Sequence, residues 1–434
     1  MRPIFYIVAF LFVTSGQAQD KLSLSLADCR KMALAHNEVV QLSDNQLRQA
    51  EMDKSIAHAS YFPKIEGSVS GTYLSPDIDM MGMELQMRGM YMAGISVTQP
   101  LFVGGKIRES NKLAQIGKES AIEQRRHTRM QLIADVDNAY WSYIAVIWKV
   151  KMLNEFKLQM DTLYSQSKTS LLAGMSTSND MMRIDAKRSE IVYQLQKAAN
   201  GANLCRLALS NVLGSPMDVA IEPTDTIIPL PILGQLDESI ALRPELILLE
   251  RQVEASQRQV KIVRSDMLPQ LGLSAGYMYN GNIKIDGTST DELGNESAYT
   301  QKINDGNSYI MASLSVPIFH WGEGRKKVER SKLDVENSKL DLQRNSRLLS
   351  LEARQAVHNV LNSVNLIATA DLGCNQSEEN LRVMRMRYHS GMCSLTDLLD
   401  AQTQWQQAKS NLIEAQTQFK IQETEYLRVT GRLE

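Results

Sequence analysis

The sequence contains two copies of one unit, and this duplication restricts the fold more than any other feature of the chain. The matching segments, at offsets of 206 and then 217 residues, are Phe62-Pro63 with Leu268-Pro269, Pro100-Leu101-Phe102 with Pro317-Ile318-Phe319, and Gly174-Met175 with Gly391-Met392. Self-similarity at a nearly constant offset indicates repeated structure. We therefore expect a first structural repeat at 19–213 and a second at 237–434, joined by a Pro-rich linker at 214–236.

Each copy contains a long stretch without proline. Residues 101–215 and 318–434 contain none, although the chain has 11 prolines. Because proline disrupts helix interiors, these stretches predict two helices per copy. The expected ranges are 106–172 and 178–213 in the first copy, and 325–390 and 394–430 in the second. A helix of 67 residues, such as the first of these, would be ~100 Å long.

Large side chains recur every seven residues in the last predicted helix. They are Leu398, Trp405, Leu412, Phe419 and Tyr426, with Ala401, Ala408 and Ala415 between them. This period is typical of helices that pair as a coiled coil. The equivalent first-copy positions begin with Met181, Arg188 and Leu195. The long helices are therefore expected to pack against each other in pairs.

The hairpin regions at 64–101 and 270–317 alternate apolar with small or polar residues. This period of two predicts four strands of about ten residues, each apolar on one side, as in a transmembrane barrel. A soluble two-sided sheet would give a similar pattern. Four strands cannot close on themselves, and a sheet in lipid can have no free edge. If these strands lie in a membrane, several chains must contribute to one barrel.

The N-terminus has the features of a signal peptide at 1–18. Arg2 is followed by an apolar run at Ile4–Val13 and a small-x-small cleavage site before Gln19. The run is too short for a membrane-spanning helix, and the first cysteine, Cys29, lies within a helical pattern, so lipid attachment at the cleavage site is not expected. With 47 Lys+Arg against 49 Asp+Glu, the chain lacks the basic excess of a nucleic-acid binder.

No catalytic, metal or cofactor motif is convincing. Gly272-Leu273-Ser274-Ala275-Gly276 matches G-x-S-x-G, but Ser274 lies in the middle of a predicted strand instead of at a strand-to-helix turn. The cysteines form no C-x-x-C. Methionines at 80–92 could bind Cu(I) through soft sulfur, which leaves metal efflux open as a substrate class. We expect no enzyme activity, no resident metal and no cofactor.

The signal peptide, the duplicated units and the Y-x-x-G-x-x-x-x-x-D-x-x-D run at Tyr388–Asp400 resemble the TolC family of outer-membrane efflux proteins. The resemblance covers essentially the whole mature chain. It implies a mainly α fold with a transmembrane β part: a homotrimer with a 12-stranded β-barrel continued by a 12-helix α-barrel. It also implies the outer membrane of a Gram-negative bacterium, contact with outer-membrane lipid, a periplasmic helical tunnel and an equatorial position for 214–236.

The resemblance also implies a function and partners. The chain would be the exit duct of a tripartite efflux system, passively exporting small molecules that an inner-membrane RND or ABC transporter delivers through a periplasmic adaptor protein. Alternatives are a duct for heavy metals or for type I protein secretion, or a periplasmic coiled-coil scaffold without a pore. The adaptor would bind the two helix turns at the periplasmic tip, through Gly174, Met175, Ser176, Gly391, Met392 and Ser394.

The family closes its periplasmic entrance with aspartates and with a latch. Asp397 and Asp400 match the two aspartate rings that select cations, although Asp397 could simply be an acid in the first turn of a helix. Tyr388 and Asp180 match the tyrosine and acid of the latch. The third latch position holds Cys393 where the family has arginine. Arg385 or Arg387 could replace that arginine, or the gate could depend on Tyr388 and packing.

Overall fold

The computed structural model describes residues 21–75, 77–80, 83–86, 88–174, 176–217, 220–225, 236–290 and 296–433. The predicted signal peptide, Met175 and part of the predicted linker lie outside these residues. The chain divides into two compact units. We call residues 1–45, 123–247 and 345–434 the helical unit, and residues 46–122 and 248–344 the sheet unit.

Long helices dominate the described residues. In chain order the helices are α1 (Leu26–His36), α2 (Glu38–Ala59), α3 (Lys106–Leu172), α4 (Ser178–Leu213), α5 (Pro244–Ser265), α6 (Glu323–His389) and α7 (Leu395–Val429). Helices α3 and α6 have 67 residues each. None of the helices in the described part of the chain combines the length and apolar character needed to cross a bilayer.

Local capping residues fix the starts of three helices. Ser25, Thr177 and Ser394 each accept a hydrogen bond from the backbone of the third helical residue, whose carboxylate accepts one from the cap residue's N–H. This reciprocal arrangement satisfies two backbone groups that the helix itself leaves unpaired. The starts of α1, α4 and α7 are therefore determined by only four residues each.

One helix expected between Ser25 and Pro63 is instead two. Asn37 separates α1 from α2 with an extended backbone at φ −68° and ψ 131°. Its side-chain amide donates to the carbonyl of Val212, 2.8 Å away, while its side-chain oxygen accepts from the N–H of Val39. A contact with α4 therefore replaces the helical hydrogen bonds at this position.

The helical unit also contains a small parallel sheet that the sequence did not predict. Strand β1 (Lys21–Leu24) pairs with β6 (Ala220–Pro223), which lies within the predicted linker. Asp225 follows β6 and accepts hydrogen bonds from the N–H of Leu26 at 3.0 Å and the hydroxyl of Tyr140 at 2.6 Å. Part of the predicted linker is therefore a structural element of the helical unit.

The sheet unit contains an antiparallel sheet with six strands in the described residues, rather than four. The strands are β2 (Lys64–Tyr73), β3 (Ile78–Met80), β4 (Met83–Gln86), β5 (Arg88–Val103), β7 (Gln270–Thr290) and β8 (Glu296–Ser315). The order β2-β5-β7-β8 forms its full width, and β4 with β3 extends the far part of β7. Strands β7 and β8 have 21 and 20 residues, about twice the expected length.

Candidate functional site

The turn between α6 and α7 is closed by a hydrogen-bonded helix end followed by a cap. The N–H of Gly391 donates to the carbonyl of Tyr388 at 3.0 Å, and the N–H of Met392 donates to Arg387 at 2.8 Å. This pair of bonds is a Schellman motif, which requires the left-handed backbone that Gly391 adopts at φ +70°. Met392 is left 77% exposed.

The turn between α3 and α4 has the same design. Gly174, at φ +73°, donates its N–H to the carbonyl of Leu171 at 3.0 Å. A Cβ added at Gly174 or at Gly391 would meet no atom within 4 Å. Glycine is thus favoured by the backbone conformation and not by lack of space. Ser176 is half-buried just before the cap residue Thr177.

Asp397 and Asp400 are both exposed, and their surroundings differ. Asp397 accepts hydrogen bonds from the hydroxyl of Ser394 at 2.7 Å and from its N–H at 3.0 Å. These bonds, the side-chain one foremost, hold the pKa of Asp397 below its ordinary value. Asp400 makes no hydrogen bond or ion pair within the described part of the chain. Asp397 therefore caps α7, whereas capping does not account for Asp400.

Tyr388 lies half-buried against a cluster of apolar side chains from α3, α4, α6 and α7, which we call the tip cluster. The buried members are Phe156, Met160, Leu163, Ile184, Ile191, Leu381, Leu395, Leu398, Ala401 and Trp405. Burial of the Tyr388 hydroxyl, together with the nearby Asp180 carboxylate, raises its pKa. No hydrogen bond joins Tyr388 to Asp180 among the described residues, because Asp180 is bonded to its own cap residue Thr177.

The residues considered as replacements for the family arginine have other roles. The thiol of Cys393 lies 3.5 Å from the carbonyl of Met384. Arg385 is half-buried and donates to the side-chain oxygen of Gln159 on α3. Arg387 is exposed and has no ion-pair partner within the described residues. The structure therefore brings none of these three side chains to Asp180.

Two arginines of α4 make contacts that the sequence did not reveal. Arg183 donates to the hydroxyl of Thr396 in α7, which links the two helix pairs. Arg188 lies at the repeat position of Trp405, a predicted seam position. It instead bonds Asp161 of α3 at 2.7 Å and lies 4.3 Å from the ring centre of Tyr164. The offset of 217 residues, which also pairs Arg183 with Asp400, was the signal that could have drawn attention to both.

The register of the large sheet separates an apolar face from a polar one. Ile65 pairs with Val97, Val97 with Ala275, and Ala275 with Ile310, so one row of apolar side chains crosses all four strands. The next row consists of Glu66, Ser96, Gly276 and Tyr309. Directly paired residues lie on the same face of a sheet, and the apolar row includes strongly exposed side chains. The alternation expected from the sequence is therefore present.

Comparisons with known proteins identify the relatives of this chain. The profile described as outer membrane efflux protein matches residues 29–211 and 236–432. Outer membrane protein OprJ of Pseudomonas aeruginosa is 22% identical over 424 residues, which cover 92% of this chain and 82% of OprJ. Outer membrane protein TolC of Escherichia coli is 20% identical, over 95% of this chain and 85% of TolC.

Solved structures agree with these relatives. The CmeC outer membrane channel of Campylobacter jejuni has a TM-score of 0.76 and 18% identity, with 94% of this chain and 85% of CmeC aligned. At this identity the match shows the fold alone, and that fold is TolC-like. The family profile covers most of the chain, and it describes efflux proteins instead of an enzyme class. The resemblance seen in the sequence is confirmed: this chain belongs to the outer membrane efflux protein family.

Proposed function

We propose that three copies of this outer-membrane efflux protein form one continuous duct for small toxic molecules. The large sheet carries this proposal. The outer edges of β2 and β8 have no partner strand within the described residues, and one face of the sheet is apolar. Unpaired backbone groups are very costly in hydrocarbon, so strands of other copies must complete the sheet. The number three follows the family resemblance.

The two tip turns are the proposed binding site for a periplasmic adaptor, which would bridge to an inner-membrane pump. Each turn has an open glycine, Gly174 or Gly391, where no neighbouring atom approaches. Met392 adds an exposed, flexible thioether of the kind common at protein-binding surfaces. Ser176 and Ser394 lie next to these residues. An adaptor could therefore approach the backbone of both turns closely.

Asp397 and Asp400 are the proposed selectivity gate. They lie three residues apart on one helix face, and three-fold symmetry would make each into a ring of carboxylates that favours cations. The cap bonds from Ser394 lower the pKa of Asp397, which keeps this carboxylate ionised at neutral pH. Capping and gating are therefore compatible roles for Asp397.

The proposed closed state depends on packing instead of an ionic latch at Cys393. Tyr388 contacts the tip cluster, and the thiol of Cys393 faces a backbone carbonyl. Arg183 links α4 to α7 through Thr396. Opening the entrance would therefore require the aromatic ring of Tyr388 to leave the tip cluster.

Single-channel recording in planar bilayers tests the duct and its gate together. The purified protein should form cation-selective pores, and Asp397→Asn combined with Asp400→Asn should weaken the preference for cations. Asp371→Asn, an exposed acid of α6 outside the tip, is the matched control and should leave the preference unchanged. A protein that never conducts would contradict the duct. Unchanged selectivity in the double variant would contradict the gate alone.

A further inference from the structure

The segment Pro317–Gly322, between β8 and α6, presents the most exposed aromatic residue of the sheet unit. Trp321 is 91% exposed, and its neighbours Ile318 and Phe319 are 91% and 68% exposed. The rings of Phe319 and Trp321 meet edge to face at 5.0 Å. Their contact therefore forms a small apolar surface that no other part of the described sheet unit covers.

The backbone of Trp321 is strained. Its φ is +48°, in the left-handed region that L-residues other than glycine occupy at a free-energy cost. The repeat equivalent in the first copy is Gly104, at φ +63°. A Cβ there would come within 2.6 Å of the carbonyl oxygen of Ser265. The first copy uses glycine for this conformation, whereas the second keeps the conformation and points a tryptophan outward.

The exposed surface at Trp321 continues an apolar row of the sheet. Ile310, Leu314 and Val316 are exposed large apolar residues at alternate positions of β8 and its extension. Ile318 follows at the next alternate position, three residues before Trp321. The apolar face that outer-membrane location assigns to lipid thus runs directly into the strained turn.

The charges beside the turn suit the phosphate layer of a membrane. A groove of about 510 Å³ is lined in part by Phe319, His320 and Arg325. The two acids that line it are each paired with lysine: Asp266 with Lys106, and Glu323 with Lys327. Arg325 has no ion-pair partner within the described residues. An anionic group in this groove would therefore meet an uncompensated guanidinium.

We propose that Pro317–Gly322 anchors the chain at the boundary between acyl chains and phospholipid headgroups, with Trp321 as the anchor and Arg325 facing the phosphates. Tryptophan favours this boundary because its ring is apolar and its N–H is polar. A left-handed backbone at Trp321 aims the ring away from the protein. The anchor exists only in the second copy, since Gly104 has no side chain. This inference requires the outer-membrane location but neither the trimer nor the gate.

Fluorescence quenching in reconstituted full-length protein tests the anchor. Phosphatidylcholine brominated near the glycerol should quench tryptophan emission of the wild type, and Trp321→Phe should lose that component while the other three tryptophans remain. Trp321→Gly, which copies Gly104, should lose it too without lowering the unfolding temperature in detergent. Equal quenching of the wild type and Trp321→Phe would overturn the anchor, as would strong destabilisation by Trp321→Gly.

A second arm of the same experiment tests the headgroup contact and separates this inference from the duct. Vesicles containing anionic phosphatidylglycerol should bind the wild type more tightly than Arg325→Gln, whereas Lys326→Gln, whose lysine pairs with Glu329, is the matched control. An identical lipid preference in all three proteins would overturn the role of Arg325. Conductance and oligomeric state are recorded on the same samples. Bromolipid quenching in a preparation that does not conduct would contradict the duct while leaving the anchor intact.

Discussion

The two tip turns have the same backbone chemistry but different side chains one helical turn further on. Both contain a left-handed glycine, a hydroxyl cap and an acid in the third helical position, at an offset of 217 residues. Beyond the cap, Arg183 in the first turn corresponds to Asp400 in the second. Arg188 likewise corresponds to Trp405. The copies therefore share the residues that build a turn and differ in the residues that can act on a solute or on packing.

The difference separates structural from functional carboxylates. Asp180 and Asp397 occupy equivalent positions and make equivalent cap bonds, so their presence in both copies follows from helix formation. Asp400 has no such bond, and its counterpart carries the opposite charge. Of the two proposed gate residues, Asp400 is thus the one whose identity local structure does not explain.

The largest expected effect concerns the third pair of equivalent positions. Trp405→Ala should lower the free energy of unfolding by about 3–5 kcal/mol, the cost of removing a buried aromatic side chain, because Trp405 packs in the tip cluster against Phe156. Arg188→Ala should cost less than about 1 kcal/mol, since exposed ion pairs contribute little. Denaturant unfolding in detergent measures both. Equal losses would mean that Arg188 and Trp405 serve the same packing role.

A smaller effect tests whether the two caps are equivalent. Thr177→Ala and Ser394→Ala should each cost about 1 kcal/mol, the usual value of a helix N-cap. Since the Ser394 bonds lower the pKa of Asp397, their contribution is present above the unfolded pKa of about 3.9. It is lost as the pH falls through the lower folded value. The stability gap between wild type and Ser394→Ala should therefore shrink in acid, and a gap that widens would contradict the cap.

The smallest expected effect concerns Arg183. Its guanidinium contacts Thr396, which lies one helical turn before Asp400 on the same face of α7. Arg183→Gln should therefore strengthen the preference for cations, by at most about fivefold, the scale of exposed charge interactions. Lys187→Gln, next along α4, is the control because Lys187 pairs with Glu190. A weaker cation preference in Arg183→Gln would show that Arg183 acts only as a structural link.

Features encoded within a few residues could be predicted from the sequence. The caps at Thr177 and Ser394 and the glycine ends of α3 and α6 depend on local hydrogen bonds. The seam residues Leu398 and Trp405 could be recognised because a seven-residue period brings them to one face. The same holds for the apolar face of the sheet, which depends on alternation within each strand.

Features that depend on distant contacts could not be predicted. The break at Asn37 exists because its amide reaches Val212, and Arg188 leaves the seam because Asp161 and Tyr164 are nearby. The length of β7 was underestimated because polar residues follow a register shift between Asn280 and Ile283, where Asn282 adopts φ +62°. Pairing with β8 continues beyond this irregularity. Each of these outcomes depends on a partner that sequence spacing does not identify.

The pairing of β1 with β6 imposes an order on assembly. These strands are separated by about 200 residues of chain, so the first strand to be synthesised has no parallel partner until the whole first copy has emerged. Closing so long a loop costs entropy before any contact repays it, which slows folding. Until then β1 is a free strand edge, a known starting point for aggregation. Periplasmic chaperones that bind extended segments would therefore be most needed during export of the first half of this chain.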